Sequence, residues 1–313
     1  MSSQTNLALP RGYQLLNYTV VKQLSAGGFS IVYLAQDEND KPVAIKEYLP
    51  NSLALRQDGD KVVATSPEKM ATFKFGLKCF FEEGKTLAHI QHPNVVRVLN
   101  FFRANETVYM VMEYERGRTL QREIQLHGSV REDIIRHVFH HMLNGLREVH
   151  LHKLLHLDIK PANIYIRRDS SPVLLDFGSA RQTLTSEVKR FTPMYTPGFA
   201  APEQYKGREN LGPWTDIYSI GASIFACMAG FAPQAADARL EDDRLVSAKK
   251  LWSGKYSNEL LEIVDWCLHM NYLDRPQSVH SLQKALSPKV PEIAPKASML
   301  DNLKKSLARI RMR

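Results

Sequence analysis

Apolar residues take two different rhythms along this chain. Through the first third they fall in short β-branched and aromatic runs. Tyr18–Val21 and Ile31–Leu34 flank the break Ser25-Ala26-Gly27-Gly28-Phe29-Ser30, and Val43–Lys46 follows Pro42, so residues 13–46 predict a series of strands. Two brief apolar runs around Asp58-Gly59, within residues 53–64, predict a hairpin. From Pro67 to Ile90 the spacing turns helical and stops at His92-Pro93-Asn94; strands return over Val95–Phe102 and Val108–Tyr114. Beyond Gly117 the pattern is mainly helical. Ile134, Ile135, Val138, Met142, Leu143, Leu146 and Val149 predict one apolar face on a helix over 131–152. Strands at Ile164–Ile166 and Val173–Leu175 bracket a turn, and helices follow near Trp214 and over 258–269 and 278–286. A strand-rich part followed by a helix-rich part implies two lobes with a cleft near residues 113–117.

Composition narrows the class. With 313 residues, 44% hydrophobic and 24% charged, the chain has the profile of a folded globular protein. Three widely spaced cysteines (Cys79, Cys227, Cys267) form no C-x-x-C pair, so reduced thiols in a cytosolic compartment are expected and a structural zinc site is not. The N-terminus lacks the basic and apolar regions of a secretory signal. The longest apolar stretch, Ile220–Ala232, suits a buried helix and is too short to cross a bilayer. A soluble, cytoplasmic chain is the expectation. Of the formal charge of +8, residues 287–313 supply seven Lys/Arg against two Asp/Glu. The core is therefore close to balanced, which argues against a nucleic-acid partner.

Four segments carry candidate chemistry, and phosphoryl transfer needs the parts they offer: a backbone cover, a cation, metal ligands and a base. The segment Leu24-Ser25-Ala26-Gly27-Gly28-Phe29-Ser30-Ile31-Val32 lies between strands, where backbone N–H groups can approach phosphate oxygens; taken alone, it is a common structural turn. Lys46 ends the strand Val43-Ala44-Ile45-Lys46, and Glu83 on the following helix offers a carboxylate that would keep a buried lysine charged. In His156-Leu157-Asp158-Ile159-Lys160-Pro161-Ala162-Asn163, Asp158 can accept a hydroxyl proton, Lys160 can neutralise phosphate charge and Asn163 can offer oxygen to Mg2+. Asp176, in Leu174-Leu175-Asp176-Phe177-Gly178, is a second metal ligand.

Together these residues resemble the protein-kinase signature set, over about residues 13–287. Later landmarks agree: Ala201-Pro202-Glu203, Asp216 to Gly221, and Asp274-Arg275-Pro276. Lys160 is the Ser/Thr-kinase form of the loop, and the strings around Lys46, Asp176 and Glu203 look most like bacterial eukaryotic-type (Hanks-type) serine/threonine kinases. The resemblance implies an α+β, bilobal protein-kinase-like fold: a β-rich N-lobe with one main helix over 13–113, carrying a hairpin insert at about 50–66, and a mainly helical C-lobe over 114–287. A Pro-containing linker and basic tail would occupy 288–313. It implies transfer of the γ-phosphate of Mg-ATP, with Mn2+ as an alternative metal, to Ser/Thr hydroxyls of proteins, autophosphorylation included. Asp158, Lys160, Lys46 and Thr196 would be catalytic, Thr196 by bonding Asp158 and Lys160. Leu24, Ser25, Gly27, Gly28, Ser30, Val32, Ala44, Lys46, Glu83, Met112 (as gatekeeper), Glu113, Glu115, Asn163 and Asp176 would hold the nucleotide, and Asn163 and Asp176 the metal. Arg275 would pair with Glu203. By family resemblance a PP2C-type phosphatase is a partner.

The chain departs from the pattern in two places. Leu157 stands where regulated kinases carry the arginine that receives an activation-loop phosphate, and leucine cannot bond phosphate. Activity independent of phosphorylation at Thr192 is therefore expected. Ser25 and Ser30 replace two glycines of the phosphate loop; if those positions need positive φ, each costs about 1 kcal/mol.

Other features carry blander readings. His137 and His141 at i, i+4 read as solvated, without a zinc motif around them, and Cys79 reads as a small buried hydrophobe. In the tail, Leu300, Leu303, Leu307 and Ile310 share a helical face among basic residues; packing on the protein itself and peripheral contact with an anionic membrane both fit. A pseudokinase scaffold would lack one of Lys46, Asp158, Asn163 or Asp176, and all four are present. A small-molecule kinase of the aminoglycoside type would typically lack Lys160 and a segment closed by Ala201-Pro202-Glu203.

Overall fold

A computed structural model describes residues 7–57, 60–177, 195–206 and 209–287. The first lobe is built on a six-stranded antiparallel sheet in the order β1-β2-β3-β4-β8-β7, formed by β1 (Gln14–Leu15), β2 (Tyr18–Ala26), β3 (Ser30–Gln36), β4 (Pro42–Tyr48), β7 (Val98–Ala104) and β8 (Thr107–Glu113). In β3 burial alternates: Ile31, Tyr33 and Ala35 are buried, while Val32 and Leu34 are half-buried. The register sets Val32 opposite Lys46 and Ala44 opposite Met112. Opposite residues share a face, so Val32, Ala44, Lys46 and Met112 line one side of the sheet.

Between β4 and α1 (Pro67–Leu87) runs the predicted hairpin, β5 (Ala54–Arg56) paired with β6 (Val62–Ala64). Its turn at Asp58-Gly59 lies outside the described residues. Pro67 opens α1, where its missing N–H costs nothing. The helix buries Phe73, Gly76, Phe80, Glu83, Gly84 and Leu87, a stripe at helical spacing. Tyr48 stacks on Phe73 and packs against Phe80, with ring centroids 5.8 and 5.6 Å apart. A Cβ at Gly76 would sit 1.9 Å from the Tyr48 hydroxyl, so the close approach of β4 to α1 requires glycine there.

The second lobe begins with β9 (Gly117–Thr119) and α2 (Leu120–His127), whose first turn is capped by Thr119. It continues through α3 (Glu132–Leu151), β10 (Ile164–Arg167), β11 (Pro172–Leu174), α4 (Pro202–Lys206), α5 (Pro213–Ala229), α6 (Ala236–Glu241), α7 (Ala248–Trp252), α8 (Asn258–Cys267) and α9 (Val279–Leu286). Helix α5 is buried from Thr215 through Met228, which makes the long apolar run a core helix. Among the described residues no helix is long and apolar enough to cross a membrane.

The apolar pattern holds with local exceptions. On α3, Ile134 is 42% exposed while the other expected apolar positions are buried, because the buried stripe runs through Ile135, Val138, Phe139 and Met142 and Ile134 lies to one side of it. Val95 and Val96 precede β7 instead of opening it; Val96 donates to Leu174 O at 3.0 Å, joining the lobes by a backbone bridge. Cys79 is half-buried, not buried like Cys227 and Cys267. No cluster of three or more His, Cys, Asp or Glu suited to a metal occurs among the described residues, so His137 and His141 do not build one. The helical face expected over 297–313 lies outside the described residues.

Candidate active site

The loop after α3 is held from beneath by α5. Asp216 Oδ2 accepts the backbone N–H of His156 at 2.9 Å and His150 Nε2–H at 2.8 Å, and Oδ1 accepts Leu157 N–H at 2.8 Å. Burial by itself would raise the Asp216 pKa; the bond from His150 and its charge outweigh that and hold the group below the usual carboxylate range. The fully buried His156 ring has Nε2 2.9 Å from Leu175 O, and its Nδ1 accepts Asp158 N–H at 3.3 Å. Those partners fit a neutral ring protonated at Nε2, and burial pushes its pKa down.

On this support the Asp158 carboxylate collects four hydrogen bonds from three side chains. Thr196 Oγ1 donates to Oδ1 at 2.7 Å, and Lys160 Nζ donates to Oδ1 at 3.0 Å and to Oδ2 at 2.7 Å. Asn163 Nδ2 donates to Oδ2 at 3.1 Å and also to the Asp158 carbonyl at 2.9 Å. Thr196 in turn accepts from Lys160 at 2.8 Å. Three of the predicted site residues are thus bonded directly to the predicted base. The carboxylate stays 20% exposed, open toward the cleft.

Asp176 reaches the same rim because Leu175 N donates to Asn163 O at 2.8 Å, coupling the two loops. Asp176 takes a φ of 56°, a left-handed conformation that aspartate tolerates better than most residues. Its carboxylate pairs with Lys46 Nζ, and the ammonium lies 5.6 Å from the Phe80 ring centroid on α1. Glu83, one turn further along α1, is buried. The Asn163 amide nitrogen is committed to Asp158, which leaves its oxygen and the half-exposed Asp176 carboxylate as the candidate oxygen donors for a cation. Such a set suits Mg2+, which takes one or two protein oxygens and completes its shell with water and phosphate.

The phosphate loop corrects one expectation. Ser25 belongs to β2 opposite Val32, Ser30 opens β3 opposite Tyr48, and neither has positive φ. The backbone strain anticipated for serine at these positions is absent, because both are ordinary strand residues. The turn closes with Gly27 N–H on Ser30 O at 2.9 Å, and a Cβ at Gly27 would meet only Ser30 O, at 3.9 Å. Open space therefore lies over the loop. Leu49 N–H donates to Phe29 O at 2.8 Å and Asn51 N–H to Gly28 O at 2.9 Å, so the start of the insert continues strand pairing to the loop tip.

At the back of the cleft, Met112 is half-buried beside Ala44, and Leu24 is 41% exposed at the sheet edge. Glu113 N–H bonds Arg97 O at 2.9 Å. The Glu115 carboxylate takes a bidentate grip from Arg167, at 2.7 and 2.5 Å, which fixes the connection between the lobes.

Comparison with known proteins agrees with this geometry. The model of the protein kinase domain matches residues 18–287. The chain belongs to the protein kinase family. A solved structure titled PpkA-294 apo form is similar at 35% identity and a TM-score of 0.80, covering 90% of this chain and 99% of that one. Serine/threonine-protein kinase B of Synechocystis is 27% identical over 67% of this chain and 38% of its own length. Serine/threonine-protein kinase PknA of Nostoc is 25% identical over 91% of this chain and 51% of its own. This kinase domain thus spans about half or less of the length of these curated relatives.

The kinase-family landmark at the end of the activation segment is also in place: Arg275 Nη1 and Nη2 donate to Glu203 Oε1 and Oε2 at 2.8 and 3.0 Å. Gly178 and Thr192 lie outside the described residues. Sequence reasoning missed the supports behind the site: the His156 ring, the carboxylate of Asp216 as anchor, Gln204, and Glu47. Glu47 follows Lys46 directly but points to the opposite face, where it is fully buried and accepts from Tyr33, Tyr109 and Arg56. A carboxylate alternating with a lysine inside an apolar strand is the signal that could have exposed it.

Proposed function

We propose that this chain is a serine/threonine protein kinase that transfers the γ-phosphoryl group of a metal–ATP complex to a protein hydroxyl, with Asp158 as the base. The observation that carries the reading is the Asp158 carboxylate gripped by Lys160, Thr196 and Asn163. Four bonds fill about four lone-pair positions, so the incoming hydroxyl needs one released. Lys160 releases it: its bond to Oδ1 is longer than its bond to Oδ2, and its ammonium turns toward the transferred phosphoryl oxygens. Asp158 then orients the hydroxyl and accepts its proton as the oxygen attacks phosphorus and the bond to the ADP oxygen breaks. Lys46, paired with Asp176, binds phosphate oxygens, with the buried Glu83 on α1 as its expected second carboxylate partner, while Val32, Ala44 and Met112 offer the adenine an apolar sheet face. Asn163 and Asp176 would hold a divalent cation, Mg2+ or Mn2+, which when bound would supply neutralising charge on the phosphates.

A γ-labelled ATP assay on a generic protein substrate tests this: label on Ser/Thr is expected, and label that survives Asp158→Asn refutes the assignment. Independence from an activation-loop phosphate is part of the same reading, supported by the buried Leu157. Thr192→Ala is expected to keep activity within about threefold; a loss of roughly a hundredfold overturns that part. Autophosphorylation, a PP2C-type phosphatase as partner, a cytoplasmic location and peripheral membrane contact through the basic tail extend the proposal by family likeness and charge pattern. Equal sedimentation with anionic liposomes, with and without residues 297–313, would remove the membrane contact.

A further inference from the structure

Leu157 has a φ of 62°, a conformation that a non-glycine residue adopts at a cost of about 1 kcal/mol. The peptide groups on both sides of it are tied down. Its N–H donates to Asp216 on α5, and its carbonyl accepts from Gln204 Nε2 on α4 at 3.0 Å. Gln204 is 3% exposed and uses both ends of its amide, since Oε1 accepts Ala201 N–H at 2.8 Å. Helix α4 is itself immobilised by the neighbouring Glu203, which bonds Arg275 and Thr215. A single neutral side chain therefore links the C-terminal end of the activation segment to the peptide group that leads into Asp158.

We infer that Gln204 is a positioning residue for catalysis, an uncharged and permanent crosslink that orients Asp158 from the activation segment. The inference rests on the reading that no activation-loop phosphate is required, and it supplies the part such a phosphate would play. Where an arginine precedes the base, a charged bond to phosphate can tie the segment to the loop, and removing the phosphate releases it. The Gln204 amide makes that tie with two neutral hydrogen bonds in a buried setting, where neither dephosphorylation nor salt weakens it. Its target is the carbonyl of Leu157, directly before the base, at a residue whose left-handed backbone is held by outside bonds.

The test compares Gln204→Met, which keeps the volume and removes both bonds, with Gln204→Glu, which keeps the acceptor and removes the donor. Steady-state kinetics with ATP varied, nucleotide-binding titration of the active fraction and thermal melting are measured on the full chain. Both variants are expected to lose about tenfold or more in kcat per nucleotide-binding site, because a misplaced base loses its near-attack geometry. KM for ATP should stay within about twofold, since Lys46, Asp176 and the sheet face are untouched. A purely structural role would lower the melting temperature and the active fraction while leaving kcat per site at the parent value; that result in either folded variant overturns the inference. If Gln204→Met does not fold, Gln204→Glu decides alone. Loss of activity in Thr192→Ala would refute phosphate independence, whereas full kcat in a Gln204 variant with Thr192→Ala active refutes only the crosslink.

Discussion

Arg275 places all five of its guanidinium N–H groups on acceptors, and two of them meet the carboxylate oxygens of Glu203. The other three reach the carbonyls of His269, Trp214 and Met270, at 2.7, 3.1 and 3.2 Å, while the guanidinium lies 4.9 Å from the Tyr218 ring centroid. A buried pair of this kind contributes little over an apolar replacement, yet breaking it by removing one partner is expensive. Arg275→Ala should therefore lose about 3–5 kcal/mol by urea denaturation, because Glu203 is left charged and buried. Arg275→Lys should recover only part of this, since an ammonium supplies three donors for five acceptors. A melting curve unchanged in either variant would contradict the assignment.

The same logic applies behind the ATP face. Glu47 Oε2 accepts from Tyr33 at 2.7 Å and Arg56 at 2.5 Å, and Oε1 from Tyr109 at 2.5 Å. Arg56 also holds Leu7 O and Asp60 O, so the hairpin insert and the N-terminal segment are fastened to β4 through one guanidinium. Arg56→Met should cost about 3 kcal/mol or more, since the carboxylate loses its cation, and Glu47→Gln combined with Arg56→Met should cost less than Arg56→Met alone. Equal losses in the single and double variants would mean that charge at Glu47 is not what the arginine balances.

Nucleotide release should respond to the bond between Asn51 N–H and Gly28 O. Asn51 follows Pro50, whose carbonyl accepts from Leu53 and Ala54, so residue 51 opens a turn where proline fits. Asn51→Pro removes the N–H and Asn51→Ala keeps it. Stopped-flow release of a fluorescent ATP analogue should quicken by about threefold to tenfold in Asn51→Pro, the equivalent of one hydrogen bond, and stay near the parent rate in Asn51→Ala. Matching rates in the two variants would show that the strap does not steady the loop.

Acid should weaken this fold through its buried imidazole. The His156 pKa lies below its ordinary 6.5, driven there by burial, so between the two values the unfolded chain binds a proton that the folded chain does not. The stabilisation is complete above 6.5 and drains as pH falls toward the folded value; His92 and His141, pushed the same way by burial, add to the slope. Protonation at Nδ1 would also remove the acceptor for Asp158 N–H, so kcat should fall along with stability. Melting temperature measured from about pH 8 to pH 5 should decline on the acid side, and an NMR titration should put the His156 midpoint below the ordinary 6.5. A midpoint at or above that value would defeat the argument.

Much of this arrangement was legible beforehand, and the reason is physical. Strand alternation in β3 and helical spacing in α1 and α3 are local patterns, and the site residues come in short runs whose chemistry is read from side-chain type. Asp158, Lys160 and Asn163 sit within six residues, so one tight loop was enough to place them together. What stayed hidden depends on contacts far apart in sequence. Nothing local announces that Asp216 would hold His156 and Leu157, or that Gln204 would reach the carbonyl beside the base. The serines of the glycine-containing loop misled for the opposite reason: a family pattern of glycines suggested a special backbone, and in this chain both are paired strand residues, Ser25 just past a register shift at Leu24.

Lys46 and Glu47 are neighbours on β4 that face opposite ways, one toward the cleft and one into the tyrosine cluster. A slip of β4 by a single residue would exchange them, presenting a carboxylate to the cleft and burying an ammonium among phenols. Misalignment of this strand would thus reverse the sign of charge at the proposed phosphate-binding position instead of merely loosening it. Tyr33, Tyr109 and Arg56 bond the carboxylate only in the aligned form, so the cluster proofreads the strand that carries Lys46.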